Sequence, residues 1–205
     1  MRKLRTYIYV DGFNLYFRAL KDTPYKWLDL KKLFTSLLGP QNDILAIRYY
    51  TALVSGKIDP HQPIHQKTYL RALESYIPEV SICYGHFLSH EVPARIAGTN
   101  PPKYVNIIKN EEKGSDVNIA VHLLNDAWLD KYDCAVLVSN DSDLAEAIKL
   151  VKQDHAKIIG IVNPSQKQPS KELIRYATFV KQIRHGLLAA SQLPDNIPDT
   201  SLYKP

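Results

Sequence analysis

Five consecutive apolar residues, Cys134 to Val138 (CAVLV), run directly into Ser139-Asn140-Asp141-Ser142-Asp143, and this junction narrows the folds open to the chain. A continuous apolar run closed by polar turn residues is the pattern of a parallel strand buried on both faces. Such a strand needs helices above and below it, and its neighbours are reached by crossovers. Further strands are predicted at Tyr7 to Val10, Ile44 to Val54, Glu79 to Leu88 and Lys157 to Val162, with Phe179-Val180 as a short edge strand.

Helical spacing recurs between them. Leu30, Leu33, Phe34, Leu37 and Leu38 predict a helix over Leu28 to Leu38, stopped by Gly39-Pro40. Leu70, Leu73 and Ile77 predict another over Ile64 to Ile77, with Gln66, Lys67 and Arg71 toward solvent. Ser115 to Trp128 carries the clearest stripe, Val117, Ala120, Val121, Leu124 and Trp128, and Leu144, Ile148 and Val151 begin the next. Ser170 to Tyr176 reads as a helix capped by Ser170. Strands alternating with helices predict an α/β fold with a mostly parallel central sheet and helices on both faces. Residues between Ser89 and Glu112 sustain neither period, and an extended excursion or a hairpin is expected there.

A chain of 205 residues, 45% hydrophobic and 23% charged, suits one domain over residues 1–190, followed by an irregular tail over 191–205. No apolar run reaches membrane-spanning length, and MRKLRTYIYVDG leads straight into a strand, so a cytoplasmic protein with no membrane association is expected. Cys83 and Cys134 sit in apolar surroundings without a CxxC partner and read as buried free thiols. His61 and His65 are separated by Pro63 and lack the glutamate of a zincin, so they read as a surface pair. A net charge of +5 permits a polyanionic partner without requiring one.

The chemistry is carried by acids. Asp11 ends the first strand, Asp116 falls in the first turn of the Ser115 helix, and Asp141 and Asp143 follow the central strand. Taken singly, each is explained by the free amides and dipole of a helix start, worth about 0.3–1 kcal/mol. Taken together they repel, by roughly 1 kcal/mol per pair at 4 Å in water and about 4 at an effective dielectric of 20. A hard divalent cation, Mg²⁺ or Mn²⁺, relieves that repulsion through oxygen ligands. In parallel sheets ligands bind beyond the carboxyl ends of the strands, where Asp11 and Asp141 fall.

The stretches YVDGFNLYF, EEKGSDVNIAVHLLNDA, YDCAVLVSNDSDLAEAIKLV and the closing SKELIRYATFVKQI resemble the signature segments of the NYN domains, a branch of the PIN-like nuclease superfamily. The resemblance implies a three-layer PIN-like fold and metal-dependent cleavage of RNA. It implies that Asp11, Asp116, Asp141 and Asp143 form the Mg²⁺ or Mn²⁺ cluster, and that Asn14 holds a carboxylate or the scissile phosphate. It further implies that Ser139 positions a ligand or water and that Lys113 neutralises a phosphate oxygen. For a single-stranded substrate, Tyr16 and Tyr104 are the candidate stacking aromatics. A haloacid-dehalogenase-type phosphatase is disfavoured because position 13 is Phe rather than a second Asp. The stronger rival is a non-catalytic module that binds RNA or a protein. The motifs leave RNA against DNA, endo- against exonuclease action and oligomeric state open, a homodimer included.

Overall fold

The elements of the computed structural model, which describes residues 2–55 and 60–197, follow the predicted alternation. Strand β1 (Leu4–Asp11) runs into helix α1 (Gly12–Leu15) and a π-helical turn over Tyr16–Leu20, then α2 (Leu30–Leu38), β2 (Asn42–Thr51), α3 (His61–Tyr76) and β3 (Val80–Tyr84). Next come β4 (His86–Arg95), β5 (Tyr104–Lys113), α4 (Ser115–Trp128), β6 (Cys134–Val138) and a 3₁₀ turn over Ser142–Leu144. The chain continues through α5 (Ala145–Asp154), β7 (Ile158–Asn163), α6 (Lys171–Tyr176), β8 (Phe179–Gln182) and α7 (His185–Ala190). Part of the turn expected after Val54, and the tail over 198–205, lie outside the described residues.

Six strands form one sheet in the order β3-β2-β1-β6-β7-β8, every pairing parallel. All five residues of β6 are buried, as a central strand covered on both sides requires. Ile8, Val10, Ile47, Val136 and Val138 face one core with Leu33, Phe34, Leu70 and Leu73 of α2 and α3. Tyr9, Tyr50, Ala135, Leu137 and Ile161 face the other, with Ile119 and Leu123 of α4 and Ile148 and Val151 of α5. The result is the three-layer arrangement expected of a PIN-like fold.

Three readings change. The strand predicted over Glu79 to Leu88 breaks at Gly85: β3 stays in the main sheet, while β4 pairs antiparallel with β5 in a separate two-stranded ribbon. The Ser89–Glu112 excursion is therefore a hairpin. The stripe on α4 is also displaced. Val117, Val121 and Trp128 are exposed, and the buried face is Ser115, Ile119, Leu123, Asp126 and Ala127. A buried aspartate interrupts the apolar period and hides the true face; Asp126 is accommodated because Tyr9 Oη and Arg48 donate to it at 2.9 and 3.0 Å. Gln66 is likewise not a solvated residue, since its side chain accepts from Val54 N (2.9 Å) and donates to Ala52 O (2.9 Å), tying α3 to the end of β2.

Asp29 caps α2 by accepting from Lys32 N at 2.9 Å. The segment after α7 is irregular yet tied down: Leu193 N donates to Trp27 O at 2.8 Å, Asp29 N donates to Ser191 O at 2.9 Å, and Leu193 joins the core. Among the described residues no helix is long and apolar enough to cross a membrane.

Candidate active site

The strand order reverses between β1 and β6. From β1 the chain moves outward to β2 and β3, and from β6 it moves the other way to β7 and β8. The loops leaving the two neighbouring strands therefore part, and a crevice opens at their carboxyl ends. Val10 stands beside Val138 in register, so Asp11 and Ser139, one residue on, meet at its floor. Helix α4 leads into β6 and runs opposite to it, which brings its first turn and Asp116 to the same edge.

Asp11 is buried, 6% exposed, and its oxygens are occupied by local donors. Asn14 N donates to Oδ1 at 2.9 Å, capping α1, and Ser139 Oγ donates to Oδ2 at 3.0 Å. The Ser139 hydroxyl in turn accepts from Asp141 N at 3.1 Å, and Asp141 Oδ1 accepts from Asp143 N at 3.0 Å, which starts the 3₁₀ turn. Asn14 Oδ1 accepts from Asn140 N at 3.3 Å. Asn14 and Ser139 thus stitch the loop after β1 to the loop after β6. Gly12 permits a close approach on the other side, to the end of β2: a Cβ there would lie 2.6 Å from Tyr50 O and 2.7 Å from the Tyr49 ring.

The turn into α4 depends on Gly114 at φ +99°, a left-handed conformation that side-chain-bearing residues rarely adopt. Glu112, at the end of β5, takes the place of a capping residue, its Oε1 accepting from Ser115 N (3.2 Å) and Ser115 Oγ (2.9 Å). It is a fifth acid at the site that the sequence reading passed over, although the doubled Glu of EEKGSD was a visible signal. Asn140 was passed over too. Its Oδ1 accepts from Ser170 N at 2.6 Å and anchors the loop to the start of α6.

The acids sense one another. The Asp116 carboxyl is pushed up to about 6, first by burial and then by the charges of Asp11, Asp141, Glu112 and Asp143. Burial also raises Asp11, against the hydrogen bonds from Asn14 and Ser139 that hold it down, and Asp141 and Glu112 add to the rise. Among the described residues no three Asp, Glu, His or Cys side chains stand close enough to grip one ion as placed. The influence of one carboxylate on another reaches further than shared ligation does, so the two observations agree: the acids are neighbours but spread. An all-oxygen donor set still fits a hard cation. Mg²⁺ commonly takes one or two carboxylates and keeps several waters.

Three expected substrate contacts are placed differently. The Lys113 ammonium lies 2.7 Å from Glu111 Oε2, and Glu111 also pairs with Lys109, so this lysine is engaged within the hairpin. Tyr16 is half-buried and packs against the core, which makes it a packing residue more than an open stacking face; the exposed ring beside it is Phe17. Tyr104 is 65% exposed but pairs with Arg95, at the far end of the ribbon from Lys113. At about 3.4 Å per residue it lies roughly 30 Å along the strand from Lys113.

The sequence model of the NYN domain matches residues 5–183, nearly the whole chain. The chain belongs to the NYN domain family. At the level of that family this places it among the PIN-like nucleases. The fold is similar to that of the crystal structure of a protein of unknown function from Vibrio parahaemolyticus RIMD 2210633, with a TM-score of 0.57 at 18% identity, covering 90% of this chain and 95% of that one. A relative from Pseudomonas putida (strain DSM 28022 / S16), 6-hydroxy-3-succinoylpyridine 3-monooxygenase HspA, is 31% identical over 226 residues, covering 95% of this chain and 72% of the relative.

Proposed function

We propose that this NYN protein hydrolyses RNA phosphodiester bonds, with Mg²⁺ or Mn²⁺ held by Asp11, Asp116, Asp141 and Asp143 at the crevice between β1 and β6. What supports the reading is that acids from three separate segments lie near enough to one crevice to raise the Asp116 carboxyl, although among the described residues no three of them stand close enough to grip one ion as placed. When bound, the cation supplies Lewis-acid polarisation of a phosphate oxygen and a water acidified enough to attack it. The protein's own residues do the positioning. Ser139 and Asn14 hold Asp11 in one orientation through its two oxygens. Asp141 and Asp143 follow Asn140, which anchors their loop by donating its backbone N–H to Asn14 and accepting from Ser170 N through its side chain. Lys113, on leaving Glu111, neutralises a phosphate oxygen of a single-stranded substrate. By analogy with the family, the products carry a 5′-phosphate and a 3′-hydroxyl.

A labelled RNA titrated with Mn²⁺ tests this. The reading expects cleavage that rises with Mn²⁺ and stops on chelation; binding without cleavage under every metal condition would favour the non-catalytic module instead.

A second reading comes from the Pseudomonas relative, whose name describes monooxygenation of 6-hydroxy-3-succinoylpyridine. Transfer of one oxygen atom from O₂ requires a two-electron reductant, so the readout is reductant-dependent O₂ uptake on adding that pyridine. Uptake without RNA cleavage would replace the nuclease reading.

The raised Asp116 carboxyl also fixes a pH dependence. A carboxyl whose folded pKa rises from 3.8 to about 6 stabilises the fold below the unfolded value, and that contribution is lost as pH climbs through about 6. A cation that binds the ionised acids offsets the loss. In thermal melts, saturating Mn²⁺ is expected to raise Tm clearly at pH 7.5, by a few degrees, and to have little effect at pH 5. An equal rise at both pH values would count against Asp116 as a ligand.

A further inference from the structure

We propose that Phe13, Phe17 and Phe87 form a stacking platform for one unpaired nucleobase at the mouth of the acid crevice; this rests on the RNA reading and adds to it the subsite that holds the base. Phe13 sits between Asp11 and Asn14, so the cap that fixes the acid also fixes this ring. Phe17 lies one turn on, its ring nearly parallel to that of Phe13, with centroids 6.3 Å apart and planes at 19°. Phe87 of β4 meets Phe13 edge-on at 5.5 Å and 77°. Across the hairpin Phe87 pairs with Glu112, whose carboxylate caps the helix that begins at Ser115, next to Asp116. The three rings therefore join the two elements that flank the acids.

Burial does not explain Phe17, although its ring touches those of Phe13 and Tyr16. It is 56% exposed, while Ala19 and Leu20 of the same turn are buried, so the turn turns its inward face elsewhere and leaves a large ring in water. The backbone is unusual at the same place, because Tyr16–Leu20 form a π-helical turn, a rare geometry that is frequent at functional sites. Lys21 Nζ lies 5.3 Å from the centre of the Phe17 ring. That ammonium lies over the ring face, so a base stacking there displaces it toward the adjoining phosphate, which leaves the ring and charge that single-stranded RNA takes. Phe13, two residues from Asp11, connects this ring and charge to the acids that would act on the neighbouring phosphodiester.

The test uses a short single-stranded RNA carrying 2-aminopurine, whose fluorescence is quenched by stacking, with Mg²⁺ present and in an Asp141→Asn background so that the strand persists. Phe17→Ala is expected to abolish the quench and weaken binding by about tenfold, within the range for losing one base-aromatic stack. Phe17→Leu, which keeps apolar bulk without a ring face, is expected to behave like Phe17→Ala, and Phe17→Trp to retain the quench. Circular dichroism checks that the exposed position leaves the fold intact. RNA bound with unchanged affinity and unchanged quench by Phe17→Ala overturns the platform while the RNA reading stands. An RNA that does not bind the Phe17-containing protein at any concentration overturns both.

Discussion

Asp141→Asn is expected to reduce metal-dependent RNA cleavage by at least about a hundredfold to a thousandfold, the scale of losing one preorganised electrostatic contact in an active site. The substitution is chosen because it separates charge from structure. Asp141 Oδ1 accepts from Asp143 N at 3.0 Å, and the carbonyl of an asparagine accepts the same bond, so the 3₁₀ turn persists. Asp141 N still donates to Ser139, which keeps Asp11 in place. What disappears is one negative charge among acids that already repel, and Asp116 then moves back toward the ordinary carboxylate range. The melting temperature at pH 7.5 without metal should hold steady or rise slightly as activity falls. Full metal-dependent activity in a clean preparation of Asp141→Asn would remove this residue from the mechanism.

The largest expected loss of stability lies away from the acids, at Asp126→Ala. Asp126 is 1% exposed on the inner face of α4 and pairs with Arg48 at 2.8 Å. Tyr9, wholly buried, donates its hydroxyl to the same carboxylate at 2.9 Å, and burial, ahead of the Tyr132 and Asp126 charges, keeps that phenol protonated far above its usual range. Lys131 adds a contact at 3.1 Å, but it is more exposed and contributes less. Removing the carboxylate strands a guanidinium whose Nε is already buried without a partner. Breaking one side of such a pair costs about 3–5 kcal/mol. For a chain of this size each kcal/mol moves Tm by about 2–4 °C. Asp126→Asn keeps an acceptor for Tyr9 and should lose less. A variant Asp126→Ala that melts with the parent protein would mean the network carries no net stability.

The sheet was legible because its strands are apolar runs separated by stretches of helical spacing, although the Ser170 side chain makes no capping bond to α6. CAVLV could only be central, and Gly39 stops α2 as expected, whereas the helix predicted from Leu28 starts only after Asp29, its cap. The acids were legible for a related reason, since each lies where a strand ends or a helix begins. What periodicity missed were the places where a polar group is buried against specific partners. Asp126 broke the stripe of α4 and sent the reading to Val117, Val121 and Trp128, which face outward. Gly85 looked like a residue within one strand because apolar residues continue on both sides, and only pairing shows that β3 and β4 belong to different sheets. Tyr16 and Phe17 are adjacent, and which of them packs inward depends on the π-helical turn, which composition does not reveal. Glu112 acts through Ser115, a contact that requires the hairpin to return to the base of α4.

The central claim is that acids from the ends of β1 and β6 and from the start of α4 share a divalent cation, and direct Mn²⁺ binding followed by electron paramagnetic resonance tests it most directly. At pH 7.5 the protein should take up Mn²⁺ saturably, bind it much more weakly as Asp116→Asn or Asp141→Asn, and release it as pH falls below about 6, where Asp116 regains its proton. Saturable binding that is indifferent to both substitutions, or no saturable binding at all, would contradict it.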